Sequence, residues 1–323
     1  MKGRKPIDSG SVCHIYQRTV NGFQLFYCVK DYLLFYTIVA IAARRYGIKV
    51  LGLCQMPDHL HLLVMAPDML TVSRFIQYCN SLYTKAFNEE YGTSGQLFEA
   101  PFGIAVKKGD KKIRTAIAYL YNNPVEKRLN SSAAAYQWNY LAYADSRHPF
   151  SEWKNLAQSR YVYRCAARMI KTCLDAGLPL NYQILSTCFD GLSGDEKKML
   201  ADRIVCAYHL VDYPALLSYY GNYRTMIVAV DSNTGSEYDI VEEFLPGSDK
   251  VYHRLVTEAM NRFGSSAVAI LLGMKENARR RSAIALQQLT GATLRQVCKF
   301  LHLAMQPAES QQNRHFPTPL RRG

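Results

Sequence analysis

The clearest pattern in the chain is a three-and-four spacing of apolar side chains over residues 71–91. Val72, Phe75, Ile76, Cys79, Leu82, Tyr83, Ala86 and Phe87 fall on one stripe there, which predicts an amphipathic helix. Before it, residues 12–19 and 23–29 read as two strands. Asn21-Gly22 between them predicts a hairpin, because both residues tolerate positive φ. Asp31 then caps a helix running to about Tyr46, 48–55 is a strand, Met56-Pro57-Asp58 a turn, and 59–65 a further strand. A short strand at 102–106 and a basic loop at 107–112 lead into a helix expected to stop near Asn123, where Pro124 removes a backbone donor. Sequential strands joined by tight turns, with helices between them, predict an α+β domain built on an antiparallel sheet.

Beyond Tyr143 the pattern becomes mainly helical. Residues 155–178 and 194–220 read as helices, 235–245 as a polar interruption, and 275–289 with 294–302 as a helix pair joined by Thr290-Gly291-Ala292-Thr293. No internal repeat is evident. The organisation expected is an α+β domain over 1–145, a helical extension over 146–270, a candidate helix-turn-helix over 271–306, and a disordered tail over 307–323.

Charge changes this picture. The net charge is +13, which favours a polyanionic partner, nucleic acid ahead of membrane, although a merely soluble basic protein would carry the same sign. The excess is uneven. Residues 1–150 hold 18 basic and 10 acidic side chains, 151–269 hold 12 and 14, and 270–323 hold 9 and 2. Two basic ends around a near-neutral middle suit two separate nucleic-acid contacts. The nine cysteines form no C-x-x-C pair and read as reduced, mostly buried residues of a cytoplasmic protein. The first ten residues lack the apolar core of a signal peptide, and the longest apolar stretch, 33–43, is too short to span a bilayer.

His59 and His61 are the first candidates for chemistry. Side chains alternate along a strand, so the two imidazoles share a face and could bind one divalent ion, while Leu60 points the other way. An isolated pair of this kind is more often structural. On the later helix Tyr119 and Asn123 are four apart and share a face beside the apolar stripe of Ile113, Ile117 and Leu120. That spacing allows Tyr119 to sit at the sheet edge with its hydroxyl free, and allows Asn123 to supply an oxygen ligand. The chain has 23 tyrosines, so packing is the competing role, and Tyr121 is the rival candidate.

Together these segments resemble a known family. Gln55-Met56-Pro57-Asp58-His59-Leu60-His61-Leu62-Leu63-Val64 is similar to the His-hydrophobic-His strand of single-tyrosine HUH transposases, the IS200-like group. Tyr119-Leu120-Tyr121-Asn122-Asn123-Pro124-Val125 resembles their nucleophile helix. Gly95-Gln96-Leu97-Phe98 and Tyr136-Gln137-Trp138 resemble the linking segments, in the expected order. The likeness covers about residues 12–145 and is nearest to the REP-associated tyrosine transposases. It implies an HUH domain with a ferredoxin-like central antiparallel sheet flanked by helices. It also implies that His59, His61 and Asn123 ligate Mg²⁺ or Mn²⁺ and that Tyr119 is the nucleophile. The implied reaction cuts and rejoins single-stranded DNA near REP-like hairpins through a 5′-phosphotyrosine. Asp58 stands where many relatives have Asn and is a candidate for orienting His59. Phe98-Glu99 replaces a more usual aromatic-Gln pair, and Asn123 precedes a proline, which disfavours helical geometry there.

Lys107, Lys108, Lys111, Lys112 and Arg114 are candidates for holding phosphates near that site, and Arg4 and Lys5 for reaching a neighbouring groove. In the C-terminal helix pair Thr293 is a candidate N-cap, and Leu294, Val297, Cys298 and Leu301 form an apolar stripe. Arg295, Gln296 and Lys299 are then expected to face outward as a recognition helix requires. An ordinary helical hairpin packed on the first domain is the alternative. The readings left open are a related replication initiator or relaxase-like nickase, and a DNA-binding regulator acting through the C-terminal helices. A monomer is favoured and a dimer possible, with the long extension covering the face through which smaller relatives pair.

Overall fold

The structure, a computed structural model, describes residue 7, residues 11–232 and residues 249–305. The expectations for Arg4, Lys5, the polar stretch at 235–245 and the 307–323 tail lie outside the described residues.

The first half follows the order β1 (Val12–Arg18), α1 (Val29–Tyr46), β2 (Lys49–Met56), β3 (His59–Met65), α2 (Met69–Tyr91), β4 (Gly103–Lys107) and α3 (Asp110–Glu126). The four strands form one sheet in the order β2-β3-β1-β4, with every neighbouring pair antiparallel. This is the ferredoxin-like α+β arrangement expected.

The expected hairpin is absent. Asn21 and Gly22 do take positive φ (56° and 66°), but they close a 3-10 turn and the chain does not return along β1. The reason is that β1 is central. It pairs with β3 from Cys13↔Val64 to Arg18↔His59 and with β4 from Val12↔Lys107 to Tyr16↔Gly103, so neither edge is open. The backbone donors of the following segment go elsewhere: Gln24 N–H to the Lys299 carbonyl (3.1 Å) and Leu25 N–H to the Pro57 carbonyl (2.7 Å).

Alternation assigns the two faces of the sheet. Ile15, Gln17, Gln55, Leu60 and Leu62 face α1 and α2: the Asn80 amide of α2 donates to Gln17 Oε1 (3.0 Å), and the Gln55 amide donates to the Tyr32 carbonyl of α1 (3.1 Å). The opposite face carries His14, Tyr16, Cys54, His59 and His61 and is covered by α3, which packs on β2, β3 and β4. The apolar stretch noticed at 33–43 is buried all round, because α1 packs on the sheet, on α2, and on helices of the extension. Among the described residues no helix is long and apolar enough to cross a membrane.

Helix α3 does not stop at Asn123. It continues through Pro124 to Glu126. The proline forfeits one bond to the preceding turn, and the last turn still closes, with Lys127 N–H on the Asn123 carbonyl (3.0 Å) and Leu129 N–H on the Pro124 carbonyl (2.8 Å).

The rest is helical: α4 (Tyr161–Asp175), α5 (Tyr182–Phe189), α6 (Gly194–Tyr208), α7 (Tyr213–Ser218), α8 (Tyr223–Asp231), α9 (Asp249–Phe263), α10 (Ala267–Gly273), α11 (Glu276–Thr290) and α12 (Leu294–Phe300). The single helix expected over 194–220 is broken at His209, which takes φ 42°. The chain there runs along the outer edge of β2: Val211 bridges Val50 in parallel, and Asp212 N–H donates to the Val50 carbonyl (2.8 Å). The extension thus caps part of an edge strand that would otherwise present unpaired backbone groups. Helices α9 to α12 pack on one another, and α10 also packs on α2.

Candidate active site

Two imidazoles on β3 stand at the centre of the α3-facing side. His59 and His61 have ring centroids 5.1 Å apart with perpendicular planes. A third histidine joins them. His14, on β1 and diagonal to His61 across the ladder, places Nε2 3.1 Å from His61 Nδ1, with the rings stacked at 5.3 Å. His14 and His61 are fully buried. Sequence reading missed His14, because its place depends on the pairing of β1 with β3, a contact between residues 47 apart.

Tyr119 lies over this cluster. Its ring meets His14 and His61 edge-on, each at a centroid distance of 5.5 Å. The expected place at the sheet edge is corrected: Tyr119 is 4% exposed and its ring sits over His14 of β1 and His61 of β3, the two middle strands of the sheet. Asn123 follows one turn later on the same helix. It is buried, and neither Oδ1 nor Nδ2 has a hydrogen-bond partner. Tyr121 points elsewhere. Its hydroxyl donates to the Leu51 carbonyl (3.0 Å) and it packs over Gly52, where a Cβ would come within 3.1 Å of the tyrosine oxygen.

His14 and His61 are held neutral, the state in which an imidazole can bind a metal. Burial pushes the His14 imidazole down to about 3, with the charge of Lys107 adding to the effect. Burial, and then the nearby His59, His14, Lys127 and Arg18, push His61 well below its ordinary value. Each histidine of β3 has Nδ1 engaged by a neighbouring side chain: His61 by His14, and His59 by the Asp58 carboxylate at 2.7 Å. A metal would then be met by Nε2. Burial raises the Asp58 carboxyl, but the His59 hydrogen bond and the charge of Lys299 outweigh it and hold the group well below the usual carboxylate range. Among the described residues no three His, Cys, Asp or Glu side chains gather as a metal cluster. The donor set available is instead two imidazoles and an amide oxygen. The buried, unpartnered His59 Nε2 and Asn123 Oδ1 fit such a nitrogen-and-oxygen site.

Residues 14–123 match the family of IS200-like transposases. The matched span begins at His14 and ends at Asn123, about a third of the chain, and holds every residue of the cluster. The chain is also similar to a solved REP-associated tyrosine transposase bound to a REP hairpin, at 13% identity and a TM-score of 0.40, over half of this chain and 95% of the other. That likeness is too distant to carry a functional argument. No curated protein matches the chain.

The remaining candidates divide. Lys107 ends β4, while Lys108, Lys111, Lys112 and Arg114 lie exposed around the first turns of α3, the helix that carries Tyr119 and Asn123. Arg18 and Lys127, which sequence reading did not single out, bring positive charge to His61. Two of the three C-terminal candidates are engaged within the protein, and a helix-turn-helix is not confirmed. Arg295 is exposed, but Gln296 closes the capping box of α12, its Oε1 accepting from Thr293 N–H (2.9 Å). Lys299 does not face outward. It bonds Asp58 Oδ2 at 2.6 Å, with its side chain 16% exposed. Helix α12 therefore packs on the α+β domain, with the Phe300 carbonyl accepting the Tyr27 hydroxyl (2.7 Å).

Proposed function

We propose that this protein is a metal-dependent transposase that cuts and rejoins single-stranded DNA near REP-like hairpins. The observation that carries the proposal is the placement of the Tyr119 ring against His61 and His14, one helical turn from the unpartnered amide of Asn123. A tyrosine phenol has a pKa of about 10 and is a weak nucleophile unless the phosphate is activated. His59, His61 and Asn123 would hold Mg²⁺ or Mn²⁺, which supplies Lewis-acid polarisation of the scissile phosphate when bound.

Tyr119 Oη would attack the phosphorus. One P–O bond forms to tyrosine and the bond to the 3′ oxygen breaks. The phenolic proton leaves to solvent, and the departing 3′ oxygen takes one up. The products are a 5′-phosphotyrosine and a free 3′-OH. One phosphodiester replaces another, so attack by a 3′-OH on the phosphotyrosine rejoins a strand without ATP. The exposed Lys108, Lys111, Lys112 and Arg114, with Lys107, Arg18 and Lys127 nearer the sheet, would attract the strand's phosphates in a salt-sensitive, sequence-blind way. Asp58 would fix the His59 ring through Nδ1.

The test is covalent capture. Wild-type protein, Mn²⁺ and a hairpin oligonucleotide with a single-stranded 5′ flank should give a protein–DNA adduct on a denaturing gel. Tyr119→Phe should give none, and changing His59 and His61 together to Ala should abolish metal-dependent cleavage. An equal adduct from Tyr119→Phe would reject the nucleophile.

A further inference from the structure

We infer that the C-terminal helix α12 is a working part of the catalytic centre, and that Lys299 is a positioning residue for the metal ligand His59. The inference rests on the reading of His59 as a ligand given above and extends it to a residue 241 positions from Asp58, the carboxylate that joins the two.

The two oxygens of Asp58 are shared between two partners. Oδ1 faces His59 Nδ1 at 2.7 Å and Oδ2 accepts from Lys299 Nζ at 2.6 Å. A carboxylate held at one oxygen alone can rotate about its last torsion, and the ring it orients rotates with it. Held at both, it fixes the imidazole plane and the Nδ1–H tautomer, so that Nε2 is the nitrogen presented. His59 Nε2 is buried and has no hydrogen-bond partner, as expected of a ring positioned for a ligand.

Both ends of this connection are braced. On the turn, the Asp58 carbonyl accepts from Thr19 Oγ1 (2.9 Å) and the Pro57 carbonyl from Leu25 N–H (2.7 Å). On α12, the Lys299 carbonyl accepts Gln24 N–H (3.1 Å) and the next carbonyl accepts the Tyr27 hydroxyl. The lysine stem crosses Gly22, where a Cβ would meet Lys299 Cε at 3.0 Å and Nζ at 3.1 Å. The left-handed turn at Asn21-Gly22 thus also provides the bare backbone over which the lysine reaches Asp58. The pair is only partly exposed, at 16% for Lys299 and 24% for Asp58, which limits screening by solvent.

The experiment titrates full-length, metal-free protein with Mn²⁺ alone, reading free Mn²⁺ by electron paramagnetic resonance. Adduct formation is then followed against Mn²⁺ concentration, and thermal melts check the fold. Lys299→Met should weaken Mn²⁺ binding by about tenfold, and saturating Mn²⁺ should restore most of the adduct rate. Lys299→Arg, which can still donate to Asp58, should recover most of the affinity. Lys299→Leu, which also lacks a donor, gives the same comparison if the methionine variant melts early. A folded Lys299→Met or Lys299→Leu protein with wild-type Mn²⁺ affinity overturns the role of Lys299 and leaves the proposed function standing. A wild-type protein that binds no Mn²⁺ overturns both.

Discussion

His14 Nε2 and His61 Nδ1 lie 3.1 Å apart across the β1–β3 ladder, both rings fully buried. A buried imidazole without its partner loses a hydrogen bond and some of its fixed orientation. His14→Ala should therefore weaken Mn²⁺ binding by about tenfold or more, a typical loss for a group that orients a ligand. It should also lower the unfolding free energy by about 2 kcal/mol through the cavity it leaves. Calorimetric titration and denaturant unfolding check the two effects separately. Unchanged Mn²⁺ affinity in a folded variant would reduce His14 to a packing residue.

Tyr119 and Tyr121 are two apart on α3 and have opposite surroundings. The Tyr121 hydroxyl donates to the Leu51 carbonyl of β2, and burial pushes its pKa far up. Tyr121→Phe should keep the covalent DNA adduct and lose about 1 kcal/mol of stability, the usual net worth of one such bond. Tyr119→Phe should show the reverse, a folded protein with no adduct. Urea melts and adduct gels on the same preparations separate the two roles.

Gly103 is the only residue type that fits beneath the Tyr16 ring. A Cβ there would sit 1.8 Å from Tyr16 Cζ, inside the atom itself, and the two residues are directly paired on β1 and β4. Gly103→Ala should cost about 3 kcal/mol, at the upper end for an overpacked site. A Tyr16→Ala, Gly103→Ala double variant should be less unstable than the sum of its parts, because the first change removes the clash. Additive losses in guanidinium unfolding would show that Tyr16 does not set the limit.

Local periodicity made one part of the site legible and left another hidden. Strand alternation put His59 and His61 on one face, and helical spacing put Tyr119 and Asn123 on another that meets it, since both relations lie within single elements. His14 and Lys299 were out of reach, because each enters through a contact between distant segments. Asn21-Gly22 misled for a related reason. The dipeptide specifies positive φ, which it adopts, but not which strand lies alongside, and β3 and β4 had already taken both edges of β1. The outward face assigned to α12 failed at Lys299 in the same way. A stripe of Val297, Cys298 and Leu301 shows that the helix is buried on one side, but not that Lys299 lies against Asp58.

The docking of α12 should depend on pH through His302, just beyond it. Its Nε2 donates to the Gln24 carbonyl (2.8 Å), and its ring stacks on Phe23 at 4.7 Å and lies parallel to Phe87 at 5.7 Å. Burial, opposed by the Gln24 hydrogen bond and assisted by Arg279, moves its pKa from 6.5 down to about 4. Between those values the unfolded chain binds the proton and the folded one does not. Stability contributed here is therefore full above pH 6.5 and falls as pH drops towards 4. The shift corresponds to at most about 3 kcal/mol, and partial exposure of the ring reduces this to about 2 kcal/mol. His302→Gln keeps a donor for Gln24 and cannot titrate, so the stability difference between wild type and variant should change by that amount between pH 7.5 and pH 4. The protection factor of Gln24 N–H, which is bonded to the Lys299 carbonyl, should fall as pH drops over the same range in wild type alone. A pH-independent difference between the two proteins would mean that His302 stays neutral for reasons unconnected with this docking.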